Sequence, residues 1–281
     1  MFGGDQAAAP ELGRFERMYV RLLGYPALGL RIRAKAILPL LHRLPDPESI
    51  LDAGCGKGVF TLAAARAFPH ASVLGVDQSP LLVERNARLA ARLGLRNVRF
   101  LARDLTQMMA RARFDAILAT DVLEHVHDDR DLLRRFFEAL RPGGRLLLHV
   151  PHVTRHVFGG ARTNLMDIEG HVRPGYGLDE LRALLVAIGF EIELSAYNYN
   201  SVETLMNDIS FRITGGRERR KALYAFCFPW LLLGSWLASP LRAEPGSGLV
   251  FLCRRPAAAA ASAGIGAASA DAYDRIADQG G

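Results

Sequence analysis

The stretch Ile50-Leu51-Asp52-Ala53-Gly54-Cys55-Gly56-Lys57-Gly58-Val59-Phe60 passes from an apolar segment, through an acidic residue and three alternating glycines, into a second apolar segment. Glycine lets a backbone turn sharply and approach a ligand that a Cβ would push away. We therefore predict a strand, a tight loop at 54–58 and a helix that begins near Val59. A dinucleotide-binding fingerprint, G-x-G-x-x-G, would need its third glycine at position 59, where this chain has valine.

Strand-like and helix-like segments alternate along most of the chain. This alternation is typical of βαβ units on a parallel sheet. We predict an α/β fold: a Rossmann-like, doubly wound, mostly parallel seven-stranded sheet, with N-terminal helices and a helical insert before the last strand. The predicted strands are 49–53, 72–76, 98–101, 114–120, 145–150, 190–197 and 248–253, and the predicted helices are 15–23, 31–44, 59–67, 80–93, 130–140 and 178–188.

The same pattern predicts how the chain divides. Residues 1–45 form an N-terminal helical cap that begins with a loose polar lead, and 46–200 form the sheet-containing core. Residues 201–247 are an apolar helical insert, followed by the final strand at 248–255. Residues 256–281 are rich in Ala, Gly and Ser, a composition that predicts a disordered tail.

Composition narrows the function classes. The net charge is +6, but arginine supplies most of the positive charge and no basic stripe is interleaved with aromatic residues, so we predict no nucleic-acid partner. Cys55, Cys227 and Cys253 are far apart and form no CxxC pair, which predicts a reducing compartment and neither a disulfide framework nor a structural zinc site. Asp5 and Glu11 interrupt any signal-peptide pattern. Together these features predict a cytoplasmic protein.

Acidic residues follow two further predicted strands. Asp77 ends the segment Val73-Leu74-Gly75-Val76-Asp77, where a carboxylate can accept hydrogen bonds from both hydroxyls of a ribose. NAD-binding proteins use the same arrangement, so Asp77 by itself does not identify which ribose-containing ligand is bound. Asp104 follows the next strand in Phe100-Leu101-Ala102-Arg103-Asp104-Leu105.

Two later motifs complete the pattern. The segment Thr120-Asp121-Val122-Leu123-Glu124-His125-Val126 carries Glu-His after the fourth strand, and Arg141-Pro142-Gly143-Gly144 precedes the fifth. In this order, these motifs resemble the class I S-adenosylmethionine-dependent methyltransferases, in the branch that acts on small molecules. The resemblance implies that S-adenosylmethionine is held by the following residues: Asp52, Gly54 and Gly56 at its methionine part, Asp77 and Gln78 at its ribose, Asp104 and Leu105 at its adenine, and Thr120 and Asp121 near its sulfonium.

Histidines after the fourth and fifth strands are candidate general bases. An imidazole exchanges protons near neutral pH, and a base is needed if the methyl acceptor must lose a proton. His152 follows the fifth strand and His171 lies in the loop before the next helix, so we predict that these two face the substrate. His149, His152 and His156 are clustered in sequence. Strand geometry nevertheless puts His149 and His152 on opposite faces, so we predict no metal site.

The insert contains an uncharged run at 223–241, with basic residues before and after it. Pro229, Gly234 and Pro240 interrupt the run, which weakens the case for a membrane span. Trp230 and Trp236 suit a helix lying in a membrane interface. A lid over an apolar pocket, a dimer face and ordinary core packing remain open.

These observations predict a methyltransferase that acts on a small, hydrophobic acceptor, with O-methylation favoured over C-methylation. One alternative is a non-catalytic S-adenosylmethionine-binding or membrane-associated scaffold. The other is an NAD-dependent oxidoreductase, which the glycine spacing and the absence of a Tyr-x-x-x-Lys pair disfavour.

Overall fold

Strands and helices alternate along the chain as the sequence predicts. The structure is a computed structural model that describes residues 2–107, 110–157, 160–163, 170–214 and 221–257, with backbone only at 156–157 and 160–163. The helices are α1 (Arg14–Leu23), α2 (Leu28–Leu41), α3 (Val59–Ala67), α4 (Pro80–Arg92), α5 (Asp129–Ala139), α6 (Leu178–Ile188), α7 (Ser201–Thr214) and α8 (Lys221–Leu237). The strands are β1 (Ser49–Ala53), β2 (Ser72–Asp77), β3 (Val98–Ala102), β4 (Phe114–Thr120), β5 (Leu140–Pro151), β6 (Thr154–Val157), β7 (Gly160–Thr163), β8 (Glu191–Asn198) and β9 (Gly248–Arg254).

The main sheet has seven strands in the order β3-β2-β1-β4-β5-β9-β8. β1 pairs in parallel with both β2 and β4, and only β9 runs against its neighbours β5 and β8. The chain therefore winds outward from β1 in one direction and from β4 in the other. This arrangement confirms the predicted fold class. Its switch point lies between the carboxyl ends of β1 and β4, where ligands bind in open α/β sheets.

Helices cover both faces of the sheet. Along β4, successive residues point to opposite faces, so Ile117 packs in one core and Leu118 in the other. A strand that is buried on both faces is apolar on both, which explains the unbroken apolar run at 116–119. One core contains Leu132 and Phe136 of α5 with Leu181 and Leu185 of α6; the other contains Ile37 and Leu41 of α2, Phe60 and Leu62 of α3, and Leu89 of α4.

Three features differ from the prediction. The lead at 1–12 is not loose, because Gly4–Ala8 form a 3-10 helix in which the buried Gln6 donates to the Lys57 carbonyl oxygen at 3.1 Å. The Pro-Gly-Gly segment lies inside β5, where the pairing with β4 shifts and Gly143 takes a φ of +84°. A hairpin of β6 and β7 was not predicted. Residues 258–281 of the predicted tail lie outside the described residues.

The predicted insert contains α7 and α8, which pack against each other and against α2. A third apolar cluster joins them to the cap, with Phe228 and Leu231 of α8 beside Leu28 and Ile32 of α2. The opposite side of α8 exposes large apolar side chains, among them Phe226, Trp230 and Trp236. No helix in the described part of the chain is both long enough and apolar enough to cross a membrane.

Candidate active site

The glycine loop after β1 depends on left-handed backbone at every second position. Gly54, Gly56 and Gly58 have φ values of +72°, +50° and +71°, a region that residues with a Cβ rarely adopt. A Cβ on Gly54 would lie 2.5 Å from Val122 Cγ2, so this glycine also allows close packing. A Cβ on Gly56 would meet no atom within 4 Å. The loop therefore presents bare backbone to open space just before α3 begins.

Asp77 is fixed by this loop. Its Oδ2 accepts a hydrogen bond from the Gly56 amide at 2.8 Å, and its Oδ1 accepts from the Ser79 amide at 2.9 Å. The carboxylate thus links the end of β2 to the loop after β1, and it is half-buried. Gln78 follows it and is exposed. A carboxylate held in this way is oriented before any ligand arrives.

Asp52 lies behind the loop, 2% exposed. Thr61 donates from Oγ1 to its Oδ2 at 2.5 Å. Burial raises the pKa of Asp52 to about 6, and the nearby Asp77 carboxylate adds to the increase while the Thr61 hydrogen bonds oppose it. Asp52 therefore links the end of β1 to α3, on either side of the glycine loop.

The end of β3 carries the predicted adenine-contacting pair. Asp104 is exposed, and its Oδ1 accepts from the Thr106 amide at 2.9 Å and from the Thr106 hydroxyl at 2.8 Å. Leu105 begins a short 3-10 helix and packs at the edge of the core. The predicted cofactor residues therefore follow the carboxyl ends of neighbouring strands along one edge of the sheet.

A buried polar network forms where β4 ends. Asp121, directly after Thr120, has a φ of +53°, and its Oδ1 lies 2.6 Å from Nδ1 of His149. Its other oxygen pairs with the guanidinium of Arg33 from α2. His149 is 2% exposed in β5, and its Nε2 lies 3.1 Å from Asn198 Oδ1. Asp121 thus joins the N-terminal cap to the centre of the sheet.

Charges in this network shift one another's pKa values. Burial alone would raise the pKa of Asp121, but Arg33 and then His149 lower it to about 2. Burial, followed by repulsion from Asp121, raises the pKa of Glu124 well above its usual value. Burial and then the neighbouring His125 lower the pKa of His171. The network therefore combines Asp121, a firmly ionised carboxylate, with His171, an imidazole that favours its neutral form.

The charged groups of this network line one large cavity of about 1570 Å³, and Asp121 is the one predicted cofactor residue among its lining residues. The cavity begins beside Lys57 in the glycine loop and continues over the polar floor to α1, α7 and α8. Its polar floor includes Arg33, Asp121, Glu124, His125, His149 and His171; its walls include Phe15, Tyr19, Phe211, Tyr224 and Ala225.

The two predicted catalytic histidines have different positions. His171 lines the cavity, whereas His152 is not among the lining residues. The His152 Nδ1 lies 2.9 Å from the Thr154 carbonyl oxygen and 3.1 Å from its amide nitrogen, and the ring packs against Tyr197. Arg33 was missed by the sequence analysis. The signal that could have drawn attention to it is the group of three cations, Arg31, Arg33 and Lys35, within the otherwise apolar helix α2.

Comparison with known proteins identifies the family of this chain. A family model described as a methyltransferase domain matches residues 30–195, which include β1 to β5 and most of β8. The chain belongs to this methyltransferase family. The predicted class, the S-adenosylmethionine-dependent methyltransferases of class I, is thereby confirmed together with its cofactor class.

Individual relatives match parts of this chain. A trans-aconitate 2-methyltransferase of Methylobacterium radiotolerans is 36% identical over 131 residues, which cover 45% of this chain and 48% of that protein. The chain spans about half the length of the curated relatives it matches.

Two solved structures share the fold. The [4+2]-cyclase SpnF superposes with a TM-score of 0.59 at 21% identity, covering 81% of each chain. Geranyl diphosphate methyltransferase superposes with a TM-score of 0.57 at 17% identity, covering 87% of this chain and 84% of that one. At such low identities these likenesses concern the fold alone.

Proposed function

We propose that this methyltransferase binds S-adenosylmethionine along the carboxyl ends of β1 to β4 and methylates a small, hydrophobic acceptor, on oxygen in preference to carbon. The observation that carries the proposal is the continuous cavity. It runs from the glycine loop, across Asp121, to the aromatic walls supplied by α1 and α8. Its polar floor includes Asp121, beside which we place the sulfonium, and its aromatic walls suit an apolar acceptor.

The residues at the strand ends fit this cofactor. Gly54 and Gly56 offer backbone without side chains for its methionine part, with Asp52 linking the strand before them to the helix after them. Asp77 is already oriented to accept hydrogen bonds from both ribose hydroxyls, with Gln78 next to it. We assign the adenine contacts to Asp104 and Leu105, and the surroundings of the sulfonium to Thr120 and Asp121. When bound, the cofactor supplies an electrophilic methyl group.

The chain's own contribution is to position the acceptor and exclude water. Holding two reactants in line can lower a barrier by several kcal/mol, up to about 7–11 kcal/mol in the best intramolecular cases. An oxygen acceptor must also lose its proton. His171 faces the cavity and favours its neutral form, so we assign it the role of proton acceptor. His152 stays a second candidate, one that must turn away from the Thr154 backbone to act.

A second acceptor class is favoured by the basic part of the lining. Arg33, Arg155 and Lys221 line the cavity with the acidic residues, so a carboxylate acceptor would find cations there. The relatives named trans-aconitate 2-methyltransferase fall in the same class by name. The hydrophobic acceptor remains our main proposal because aromatic side chains form the opposite wall.

One experiment separates the two classes. The full chain is incubated with S-adenosylmethionine carrying a labelled methyl group and with lipid extract, aqueous extract or pure trans-aconitate. The hydrophobic proposal expects label in the lipid fraction, identified by mass analysis. Label that enters only trans-aconitate or other aqueous acceptors would overturn it.

Binding measurements test the non-catalytic and oxidoreductase alternatives. Calorimetry of the full chain should show saturable binding of S-adenosylmethionine and none of NAD. Binding of NAD alone would contradict the assignment of the strand-end residues. Binding of S-adenosylmethionine with no transfer to any extract would favour a scaffold.

We also propose that α8 contacts the inner face of the cytoplasmic membrane. Phe226, Trp230 and Trp236 are 73%, 68% and 66% exposed on this helix, and basic residues lie at both ends of the uncharged run. Aromatic residues beside cations suit a helix lying in an anionic interface. The test is flotation of the full chain with phosphatidylglycerol vesicles and with phosphatidylcholine vesicles. Absence from both vesicle fractions at low salt, with a dimer by sedimentation, would assign this surface to self-association instead.

A further inference from the structure

Three side chains with metal-binding chemistry meet on the cavity floor, beside the residues assigned to the cofactor. Glu124 and His125 end a 3-10 turn after β4, and His171 comes from the loop before α6. One ligand atom from each lies within 4.8 Å of those of the other two. The rings of His125 and His171 meet edge to face with their centroids 4.6 Å apart. We propose that Glu124, His125 and His171 bind a divalent transition-metal ion.

Glu124 supplies the first argument. The residue is 1% exposed, and its Oε2 has no hydrogen-bond partner among the described residues. Burying an acceptor without a partner is unfavourable, because the group loses its hydrogen bonds to water and gains none in exchange. Arg33 is engaged by Asp121. A metal ion would give Glu124 Oε2 the missing partner and would supply the positive charge that an ionised Glu124 needs at this buried position.

His125 supplies the second argument for a metal site. Its Nδ1 lies 3.0 Å from the Gly170 carbonyl oxygen, so the tautomer that donates from Nδ1 leaves the Nε2 lone pair available. Metal-binding histidines are held in this way, with the other ring nitrogen donating to a carbonyl or carboxylate. The exposed position of His125 leaves room for an ion to enter.

The backbone holds the third ligand in place. The Val172 amide donates to the Glu124 carbonyl oxygen at 2.8 Å, which ties the residue after His171 to the residue before His125. The three ligands therefore come from two segments that are hydrogen-bonded to each other. Their convergence does not depend on long side chains reaching across open space.

The donor set indicates which ions would bind. Two imidazoles and one carboxylate suit Zn²⁺, Co²⁺, Mn²⁺ or Fe²⁺ better than Mg²⁺ or Ca²⁺, which prefer oxygen ligands. Three protein ligands leave coordination positions open, and all three residues line the cavity. We assign the open positions to a hydroxyl or carboxylate oxygen of the methyl acceptor. This last step rests on the proposed function, and it makes His171 a metal ligand that positions the acceptor rather than the proton acceptor.

The test uses the full chain without a histidine tag, stripped with a chelator and titrated with CoCl₂. We expect visible Co²⁺ absorption that saturates at one equivalent. His125→Ala, His171→Ala and Glu124→Gln should each weaken Co²⁺ binding by more than the roughly 10- to 100-fold that loss of an outer-shell partner costs. His127→Ala is the matched control, because His127 is exposed two residues away and lies outside the cluster. It should bind Co²⁺ like the unaltered chain.

A second measurement needs no variant. Zn²⁺ should protect His125 and His171, but not His127, from diethylpyrocarbonate, as mapped by mass spectrometry of peptides. The inference is overturned if Co²⁺ absorption does not saturate, if His125→Ala and His171→Ala bind Co²⁺ like His127→Ala, or if Zn²⁺ protects none of these histidines. Calorimetry with S-adenosylmethionine separates the two proposals. Cofactor binding without metal binding would sink this inference alone, and metal binding without methyl transfer to any acceptor would sink the proposed function alone.

Discussion

The region assigned to the cofactor and the region assigned to the acceptor are built in different ways. In the first, the glycine loop, Asp77 and Asp104 follow strand ends within about fifty residues of continuous chain, and hydrogen bonds from backbone amides, such as the one from Gly56 to the Asp77 carboxylate, fix their geometry. In the second, the walls come from α1 and from the consecutive helices α7 and α8, which are far from α1 in sequence. The contacts there are mainly between side chains, such as the Tyr19 and Phe228 rings with centroids 6.3 Å apart.

This difference teaches where specificity can vary. A loop fixed by backbone geometry tolerates few residue types, so its function is readable from a short motif. Walls made of packed side chains can change shape with single substitutions and leave the sheet intact. We therefore expect changes in the region assigned to the cofactor to affect stability and cofactor affinity strongly, and changes on the outer surface of α8 to affect neither.

The largest effect is expected at Gly54. Gly54→Ala would place a Cβ 2.5 Å from Val122 Cγ2 on a backbone with a φ of +72°. Left-handed backbone costs about 1–2 kcal/mol for a residue with a Cβ, and overpacking adds about 1–3 kcal/mol. We expect urea unfolding to show a loss of about 2–5 kcal/mol, and calorimetry to show little cofactor binding.

Gly94→Ala is the control for backbone strain alone. Gly94 has a φ of +69°, but a Cβ there would meet no atom within 4 Å. It should cost only about 1–2 kcal/mol and leave cofactor affinity unchanged. Equal losses in the two variants would mean that contact with Val122 does not matter.

The next effect concerns the pH dependence of stability at Asp52. Burial raises its pKa from 3.8 to about 6 in the folded chain, so protonation favours folding. The stabilisation from the protonated form is full below about pH 4 and is lost as the pH rises through about 6. At pH 8, Asp52→Asn should therefore unfold at a higher urea concentration than the unaltered chain. The gain in the free energy of unfolding should be at most about 3 kcal/mol, for a pKa shift of about two units. This difference in stability should shrink toward pH 4. A difference that does not change with pH would contradict a raised pKa at Asp52.

A smaller effect is expected at Asp77. Asp77→Asn removes the charge and one of the two oxygen acceptors that the Gly56 and Ser79 amides use. A hydrogen bond to a charged group contributes about 1.5–3 kcal/mol, so S-adenosylmethionine should bind roughly 10- to 100-fold more weakly in calorimetry. Glu84→Gln, in exposed Glu84 of α4, should bind it normally. An unchanged affinity in Asp77→Asn would remove Asp77 from the ribose site.

Sequence could predict the sheet because each strand carries its own signal. The bounds of β1, α3, β4 and α6 agree with the prediction to the residue, since apolar runs and glycines mark their ends. The 3-10 helix at Gly4–Ala8 could not be predicted, because it depends on Gln6 reaching Lys57, a contact between distant residues. The hairpin of β6 and β7 had no such local signal.

The candidate site divides in the same way. Asp77 and Gly56 were found because a strand end and a glycine pattern are local features. Arg33 was not found, because the sequence around it does not indicate that Asp121 will be its partner. The pairing of His125 with His171 likewise depends on a loop 45 residues further on returning to the end of β4.

The smallest effect on the folded chain is expected on the outer surface of α8. Trp230 and Trp236 are more than half exposed, so Trp230→Ala with Trp236→Ala should leave urea unfolding and cofactor affinity nearly unchanged. If the surface enters a membrane interface, the lost apolar contact should weaken binding to phosphatidylglycerol vesicles by about tenfold, for roughly 1–2 kcal/mol. Val186→Ala, exposed on α6, is the control and should bind vesicles normally. A large loss of stability in the double variant would instead mean that these tryptophans pack against the rest of the chain. This side of α8 would then belong to the core and not to a surface that tolerates substitution.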